Sequence, residues 1–231
     1  MYSTQAAYPT LQKRSLLNNM RPMQHQLVNI HGSAGELEGI YQAGDEHRPA
    51  VVVCHPHPLY GGTMRNKVVY WIARTLHQQG CSVLRFNFRG VEGSAGHWDD
   101  GRGESDDAAV ALNWLADMQP DAPLWLAGFS FGCYAGLQAA CRDERVEHAI
   151  AVAPAVQMHD YAFFDQAQHR PSCTVIAASD DEIVPFDALQ TWLQQHSATV
   201  TSHIIAGAGH FFPNHKDELQ ARLQAEVLGT V

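Results

Sequence analysis

Short apolar runs alternate with amphipathic segments along most of the chain. The runs are continuous and rich in β-branched residues, and they lie at positions 50–55, 82–89, 124–129, 148–154, 173–179 and 202–207. A segment that is apolar at every position is typical of a parallel strand covered on both faces. Between the runs, apolar residues recur at helical spacing, as at Val69, Ile72, Ala73 and Leu76. The pattern therefore predicts about six parallel strands separated by helices.

This alternation of strands and helices indicates an α/β fold. Successive βαβ units form a doubly wound, mostly parallel sheet with helices on both faces. Two further strand-like runs, Gln26–Ile30 and Glu36–Tyr41, flank a turn-forming segment and predict an N-terminal antiparallel hairpin. Ligands bind outside the carboxyl ends of the strands in such sheets, so we expect a functional site in the loops that follow the strands.

The composition fits one buried sheet and excludes several classes of partner. The chain has 231 residues, of which 45% are hydrophobic and only 17% charged, and its formal net charge is −9. An acidic chain without a run of basic residues is poorly suited to bind nucleic acid or an anionic membrane. No apolar stretch reaches the roughly 18 residues that span a bilayer. We expect a single domain over residues 23–231, as a monomer or a homodimer.

Residues 1–22 precede the first predicted strand and contain no apolar segment of the kind found in signal peptides. We expect a flexible N-terminal extension and a cytoplasmic protein. The alternative is a transit peptide, which Lys13, Arg14 and Arg21 without any acidic residue weakly resemble. The five cysteines show no CxxC spacing, which is consistent with buried thiols in a reducing compartment.

The chain has 14 histidines, and His55 and His57 are spaced like a pair of metal ligands. No further Cys, His or carboxylate follows them at a spacing typical of a metal site. We therefore expect neither a metal ion nor an organic cofactor.

A nucleophile is indicated at Ser130. The segment Gly128–Gly132, Gly-Phe-Ser-Phe-Gly, follows a predicted strand and precedes a helix that begins with small residues. A serine at a sharp strand-to-helix turn has a strained backbone, and the flanking glycines let the strand and the helix approach each other. The helix N-terminus also favours negative charge on an oxygen bound there. A purely structural Gly–Ser turn is the alternative.

A base and an acid follow in the order that a Ser–Asp–His triad requires in this context. His210 lies in the loop after the last strand, where its imidazole can reach the serine as a general base. Asp180, Asp181 and Glu182 follow the preceding strand, and we favour Asp181 because a short turn separates it from Pro185 and the next helix. Its carboxylate would hold the tautomer of the histidine.

Beyond these residues, the chain resembles the α/β-hydrolase superfamily over residues 25–228, in particular a small lidless branch related to dienelactone-hydrolase-like and acyl-esterase members. Three segments carry the resemblance, namely His55–Gly62, Arg85–Gly90 with the glycines after it, and Asp181–Pro185. Glu92 departs from the pattern, in which a glycine is typical, and leaves the shape of that loop open. Dienelactone hydrolases carry Cys in place of Ser130, which argues against that activity. The resemblance implies an α/β-hydrolase fold without a cap domain.

Two backbone N–H groups are expected to form an oxyanion hole. One belongs to Phe131, directly after the nucleophile, and the other to the loop after the first parallel strand. The prolines of that loop have no N–H, which leaves His57, Leu59 and Tyr60, and the resemblance favours His57. The His57 side chain is then an ordinary loop side chain rather than a catalytic imidazole.

These residues predict a serine hydrolase that cleaves small or short-chain carboxylic esters through an acyl-enzyme. Large lids of the superfamily precede the strand that carries the acid, and here residues 157–172 leave no room for one. We expect a shallow, open pocket lined by aromatic side chains, namely Tyr60, Phe129, Phe163, Phe164 and Phe211. Core packing is the alternative for these aromatics. For Phe129, a place in the core and a place in the pocket are equally favoured.

Three other functions are compatible with the fold. A thioesterase or an acyl-transfer enzyme would use the same triad and is the main alternative. A serine peptidase is disfavoured, because peptidases that resemble this core usually carry an extra domain. A non-catalytic binding module typically lacks a triad residue or an elbow glycine, and none is missing in this sequence.

Overall fold

Eight strands form one sheet in the computed structural model, which describes residues 25–229. The strands are β1 (Gln26–Gly32), β2 (Gly35–Gln42), β3 (Ala50–Cys54), β4 (Ser82–Phe86), β5 (Leu124–Phe129), β6 (Val146–Val152), β7 (Ser172–Ala178) and β8 (Val200–Ile205). Their order in the sheet is β1–β2–β4–β3–β5–β6–β7–β8. The expected N-terminal extension, residues 1–22, lies outside the described residues.

The pairing of the strands confirms the predicted mixed sheet. β1 and β2 form the antiparallel hairpin, and β2 also pairs antiparallel with β4. The remaining neighbours, from β4 across to β8, all pair parallel. Because β3 to β8 are parallel, their carboxyl ends lie along one edge of the sheet, where the loops that carry the candidate site residues begin.

Helices cover both faces of the sheet. They are α1 (Lys67–Gln78), α2 (Arg102–Met118), α3 (Phe131–Ala140), α4 (Ala162–Gln166), α5 (Phe186–Gln195) and α6 (Lys216–Leu228). Along β3, Val51 and Val53 pack with α1 and α6, whereas Val52 and Cys54 pack with α2 and α3. Successive side chains of a strand point to opposite faces, so a run of apolar residues serves both cores.

Coverage on both faces holds for the central strands and fails at β8. Every residue of β3, β4 and β5 is buried. In β8, the side chains of Thr201, Ser202 and Ile204 are exposed, because this strand lies at the edge of the sheet. Its apolar run therefore does not indicate two covered faces.

No separate domain is inserted within the described part of the sheet. The connection from β6 to β7 contains only α4 and its flanking loops. The site at the carboxyl ends of the strands consequently has no cap over it among residues 25–229. None of the helices in this range has both the length and the apolar character needed to cross a membrane.

Candidate active site

Ser130 lies at the sharp turn between β5 and α3. Its φ is 55° and its ψ is −117°, a conformation that residues other than glycine rarely adopt. The N–H of Ser130 donates to the carbonyl oxygen of Val152 at 2.9 Å, which joins the turn to the end of β6. Backbone strain of this kind costs on the order of 1–3 kcal/mol and is concentrated at functional sites.

The glycines on either side of Ser130 are required by close backbone contacts. A Cβ atom on Gly132 would lie 2.4 Å from the carbonyl oxygen of Cys54, and one on Gly128 would lie 2.6 Å from the nitrogen of Cys133. Neither approach leaves space for a side chain. The elbow therefore has the tight strand-to-helix geometry that the spacing of the two glycines predicts.

His210 and Asp181 form a buried hydrogen-bonded pair. His210 Nδ1 lies 2.7 Å from Asp181 Oδ2, and the two side chains are 2% and 4% exposed. The other oxygen of the carboxylate accepts the N–H groups of Ile183 and Val184 at 2.9 and 2.7 Å. A carboxylate only accepts, so Nδ1 carries the proton in the neutral ring and Nε2 has a free lone pair.

The two neighbouring acids do not touch the imidazole. Asp180 is exposed and accepts the hydroxyl of Ser179 at 2.7 Å. Glu182 Oε2 accepts the backbone N–H of His210 at 2.9 Å and lies where a Cβ on Gly209 would come within 2.7 Å. Glu182 thus holds the main chain of the histidine, a contact that the sequence did not indicate.

Phe129 links the histidine to the elbow. Its ring centroid lies 5.0 Å from that of His210 and 5.8 Å from that of Phe211. Phe129 directly precedes Ser130, so this packing brings the imidazole next to the turn that carries the serine. Phe129 is completely buried, and its assignment to an open pocket is therefore wrong.

One candidate N–H group in the loop after β3 has no acceptor in the part of the chain that the structure describes. Tyr60 N–H donates to the carbonyl oxygen of His57 at 3.1 Å, and Leu59 N–H donates to His57 Nδ1 at 3.3 Å. The N–H of His57 itself donates to no acceptor within residues 25–229. The same holds in the described chain for the N–H of Phe131, the first residue of α3.

The buried side chain of His55 connects this loop to the loop after β4. Its Nδ1 donates to the carbonyl oxygen of Pro56 at 2.6 Å, and its Nε2 accepts the N–H of Phe88 at 3.0 Å. Complete burial lowers the pKa of His55 to about 4, so the ring is neutral at neutral pH. Both ring nitrogens are occupied by protein groups, which leaves neither one for a metal ion.

Glu92 adopts the left-handed conformation that a glycine would take in this turn. Its φ is 47°. Its carboxylate accepts the side-chain N–H of Asn87 at 2.8 Å and pairs with Arg65, while Asn87 Oδ1 accepts the N–H of Met64. These bonds offset the strain of the positive φ at Glu92 and join its loop to the loop after β3.

The aromatic residues predicted to line the pocket fall into different environments. Tyr60 is exposed, and Phe211 is half-buried with its ring centroid 5.1 Å from that of His210. Phe163 is half-buried against Tyr134. Phe164 is completely buried, with its ring close to those of Trp192 and His196. Phe164 consequently has no surface for a substrate, and its assignment to the pocket is wrong.

Six side chains form a continuous group of rings, here called the aromatic wall, namely His57, Tyr60, Trp98, Phe131, Tyr134 and His159. The ring centroid of His57 lies 4.5 Å from that of Trp98 and 5.0 Å from that of Phe131. Tyr134 and His159 stack at 4.5 Å with planes inclined by 20°. Burial lowers the pKa of both His57 and His159, so their rings are neutral at neutral pH.

A family model for the alpha/beta hydrolase fold matches residues 49–172. The chain belongs to the α/β-hydrolase family. Within this family, the sheet order and the position of the strained serine after β5 agree with the elbow at the carboxyl end of a central strand.

Several known proteins are similar to this α/β hydrolase. A serine hydrolase without a lid from Xanthomonas campestris is 34% identical with a TM-score of 0.83, covering 93% of this chain and 98% of that one. A serine hydrolase homologue from Coxiella burnetii is 36% identical with a TM-score of 0.80, covering 87% and 96%. An uncharacterized protein from Rickettsia prowazekii is 38% identical over 83% of this chain and 84% of its own length.

The rings of Trp98, Tyr134 and His159 pack beside those of His57 and Phe131, and the sequence did not indicate these neighbours. Trp98 and His159 lie in the loops after β4 and β6, at the carboxyl ends of the strands, and Tyr134 lies in the first turn of α3. Their position was the available signal, because every loop at this edge of a parallel sheet contributes to the same surface.

Proposed function

We propose that this α/β hydrolase is a serine hydrolase that cleaves small or short-chain carboxylic esters through an acyl-enzyme on Ser130. The observation that carries the proposal is the buried 2.7 Å hydrogen bond between His210 Nδ1 and Asp181 Oδ2. It leaves Nε2 as a base on a ring that packs against Phe129, the residue before the serine. A Ser–His–Asp triad is recognised by these relations rather than by sequence position.

In the proposed reaction, Ser130 Oγ attacks the carbonyl carbon of the ester while His210 Nε2 takes the hydroxyl proton. The resulting oxyanion accepts hydrogen bonds from the N–H groups of His57 and Phe131, which donate to no acceptor within residues 25–229; Phe131 lies at the N-terminus of α3. His210 then gives its proton to the leaving alcohol. Water then attacks the acyl-enzyme while His210 Nε2 takes its proton, and His210 returns this proton to Ser130 Oγ as the acid leaves. Asp181 orients the imidazole and stabilises its protonated form.

The size of the acyl group follows from what surrounds the serine. The described connection from β6 to β7 carries no cap that would bury a long chain. Exposed apolar side chains, Leu59, Tyr60, Met158 and Ile183, lie on loops after β3, β6 and β7. Such an open, apolar rim supports a small ester rather than a long acyl chain.

Labelling with a fluorophosphonate tests the nucleophile. We expect one label per chain in the wild type and none in Ser130→Ala, because only an activated serine reacts with the phosphorus centre. Ser202→Ala, a change of an exposed serine on β8, is the matched control and should be labelled like the wild type. Equal labelling of the wild type and Ser130→Ala, or no labelling of the wild type, would remove Ser130 from this role.

A further inference from the structure

The aromatic wall lies beside both N–H groups of the proposed oxyanion hole. Those N–H groups belong to His57 and Phe131, whose own rings are members of the wall with centroids 5.0 Å apart. The rings of Trp98 and His159 also pack against Phe131, with centroids 5.2 and 5.3 Å from its centroid. A group attached to a carbonyl carbon bound at these amides therefore lies against aromatic faces.

We propose that the acyl group of the substrate carries a flat aromatic ring that packs on the aromatic wall. This inference rests on the proposed ester hydrolysis and names the class of acid that the enzyme releases. The ligand chemistry is that of an aromatic carboxylic ester with the ring next to the carbonyl group.

The direction of the acyl group follows from the position of the proton donor. His210 must lie beside the leaving oxygen to protonate it, and its ring packs with Phe129 and Phe211. Phe129 and Phe211 belong to the core under α1 and α6, whereas Phe131, with Trp98 and Tyr134 packed beside it, belongs to the core under α2 and α3. The alcohol thus occupies the side of α1 and α6, and the acyl group occupies the side of the wall.

The wall suits a flat ring better than an aliphatic chain. All of its members are planar rings, and Trp98, Tyr134 and His159 are only partly buried, so they offer surface to a ligand. Aromatic rings gain energy from offset and edge-to-face packing with other rings beyond the gain from buried area. His57 and His159 present neutral faces because burial lowers the pKa of each. Phe131, which is 1% exposed, forms the floor.

Two esters of matched size test the inference. For each ester, kcat/KM is first divided by the rate constant of alkaline hydrolysis, which corrects for the intrinsic reactivity of that ester. The corrected value for methyl benzoate is then divided by the corrected value for methyl cyclohexanecarboxylate. We expect a ratio of about three to ten in the wild type, the range given by one or two aromatic contacts. Proton release measures both reactions, and neither ester has an aromatic alcohol.

Variants of the wall locate the preference. Trp98→Leu and His159→Leu should each lower the ratio towards one, because an aliphatic side chain replaces a ring at the wall. Trp114→Leu is the matched control: Trp114 is a half-buried tryptophan on α2 that packs edge-on against Tyr41, and its loss should leave the ratio unchanged. A ratio does not depend on the fraction of folded enzyme. A wild-type ratio near one, or a wild-type value in both wall variants, would overturn the inference.

Binding separates this inference from the proposed function. Calorimetric titration of the Ser130→Ala protein with the same two esters measures their affinities without any turnover. Tighter binding of methyl benzoate that is lost in Ser130→Ala/Trp98→Leu supports the aromatic site even if no ester is hydrolysed. If hydrolysis depends on Ser130 but the two esters bind with equal affinity and give a kinetic ratio near one, the proposed function stands and the aromatic acyl group is rejected.

Discussion

Three consecutive acids, Asp180, Asp181 and Glu182, have three different environments although the sequence places them side by side. Asp181 bonds to the imidazole of His210, Glu182 accepts the backbone N–H of the same residue, and Asp180 is exposed. The difference arises because the backbone turns sharply after β7, and the N–H groups of Ile183 and Val184 hold only the carboxylate of Asp181. A single step along the chain therefore changes the chemistry available to a carboxylate.

Asp181→Asn should lower kcat for 4-nitrophenyl acetate by roughly 10³- to 10⁴-fold. An amide at this position favours the tautomer in which Nε2 carries the proton and cannot act as a base, as in known serine triads. Asp180→Asn removes the same charge one residue away and should keep a kcat near that of the wild type. Circular dichroism checks that both variants fold. Equal losses in the two variants would remove Asp181 from the orienting role.

At the scale of elements, the loops after β3 and β4 are joined by buried polar side chains. His55 accepts the N–H of Phe88, and Asn87 accepts the N–H of Met64. Arg89, next along the same loop, binds the buried Asp107 of α2 through two side-chain contacts at 2.7 and 3.0 Å. The N–H of His57 therefore lies on a loop whose position depends on a neutral buried histidine and on the loop of the next strand.

This dependence on His55 predicts a loss of stability in acid. The pKa of His55 falls from 6.5 to about 4 in the folded protein, so between these values the unfolded chain binds a proton that the folded chain does not. The free energy of unfolding should therefore decrease as the pH falls from 6.5 towards 4, by up to about 3 kcal/mol from this residue.

Urea denaturation at pH 7 and at pH 4.5 measures the effect. His55→Gln removes the titrating ring and should show a smaller loss of stability between the two pH values than the wild type. His31→Gln, on the exposed hairpin, is the control and should keep the wild-type difference. The same pH dependence in His55→Gln and the wild type would show that His55 is not its source.

At the scale of the whole molecule, one sheet with two helical layers carries every candidate site residue on its carboxyl edge. The loops after β3, β5, β7 and β8 contribute His57, Ser130, Asp181 and His210 respectively. No domain is inserted above this edge in the part of the chain that the structure describes. We therefore expect an open, shallow site for the acyl chain at this edge.

Acyl chain length tests this open architecture. We expect kcat/KM to be highest for acetyl and butyryl esters of 4-nitrophenol and to fall for the decanoyl ester, since no domain inserted within residues 25–229 would cover a long chain. Emulsified long-chain triglyceride should be a poor substrate below and above its solubility limit, because residues 25–229 contain no inserted lid that could open at a lipid surface. Faster hydrolysis of the long-chain esters than of the acetyl and butyryl esters would contradict the open pocket.

Local patterns in the sequence predicted the sheet, the hairpin and the elbow. Continuous apolar runs identified the parallel strands because burial on both faces requires them, and only the edge strand β8 departed from this rule. The spacing of Gly128, Ser130 and Gly132 was informative for the same kind of reason, since the strained turn and its close contacts involve residues that are near in sequence. Such features depend on short-range sterics, which the order of residues determines directly.

Only the tertiary structure decided which of several similar residues meet. It placed Asp181 rather than Asp180 on His210, left the N–H of His57 without an acceptor among the described residues, and buried Phe164 in the core. It also assembled the aromatic wall from loops after three different strands and from α3. An aromatic or acidic residue type is compatible with a core, a surface or a site. The choice depends on contacts between segments far apart in the chain, and these exist only once the sheet has brought the loops to one edge.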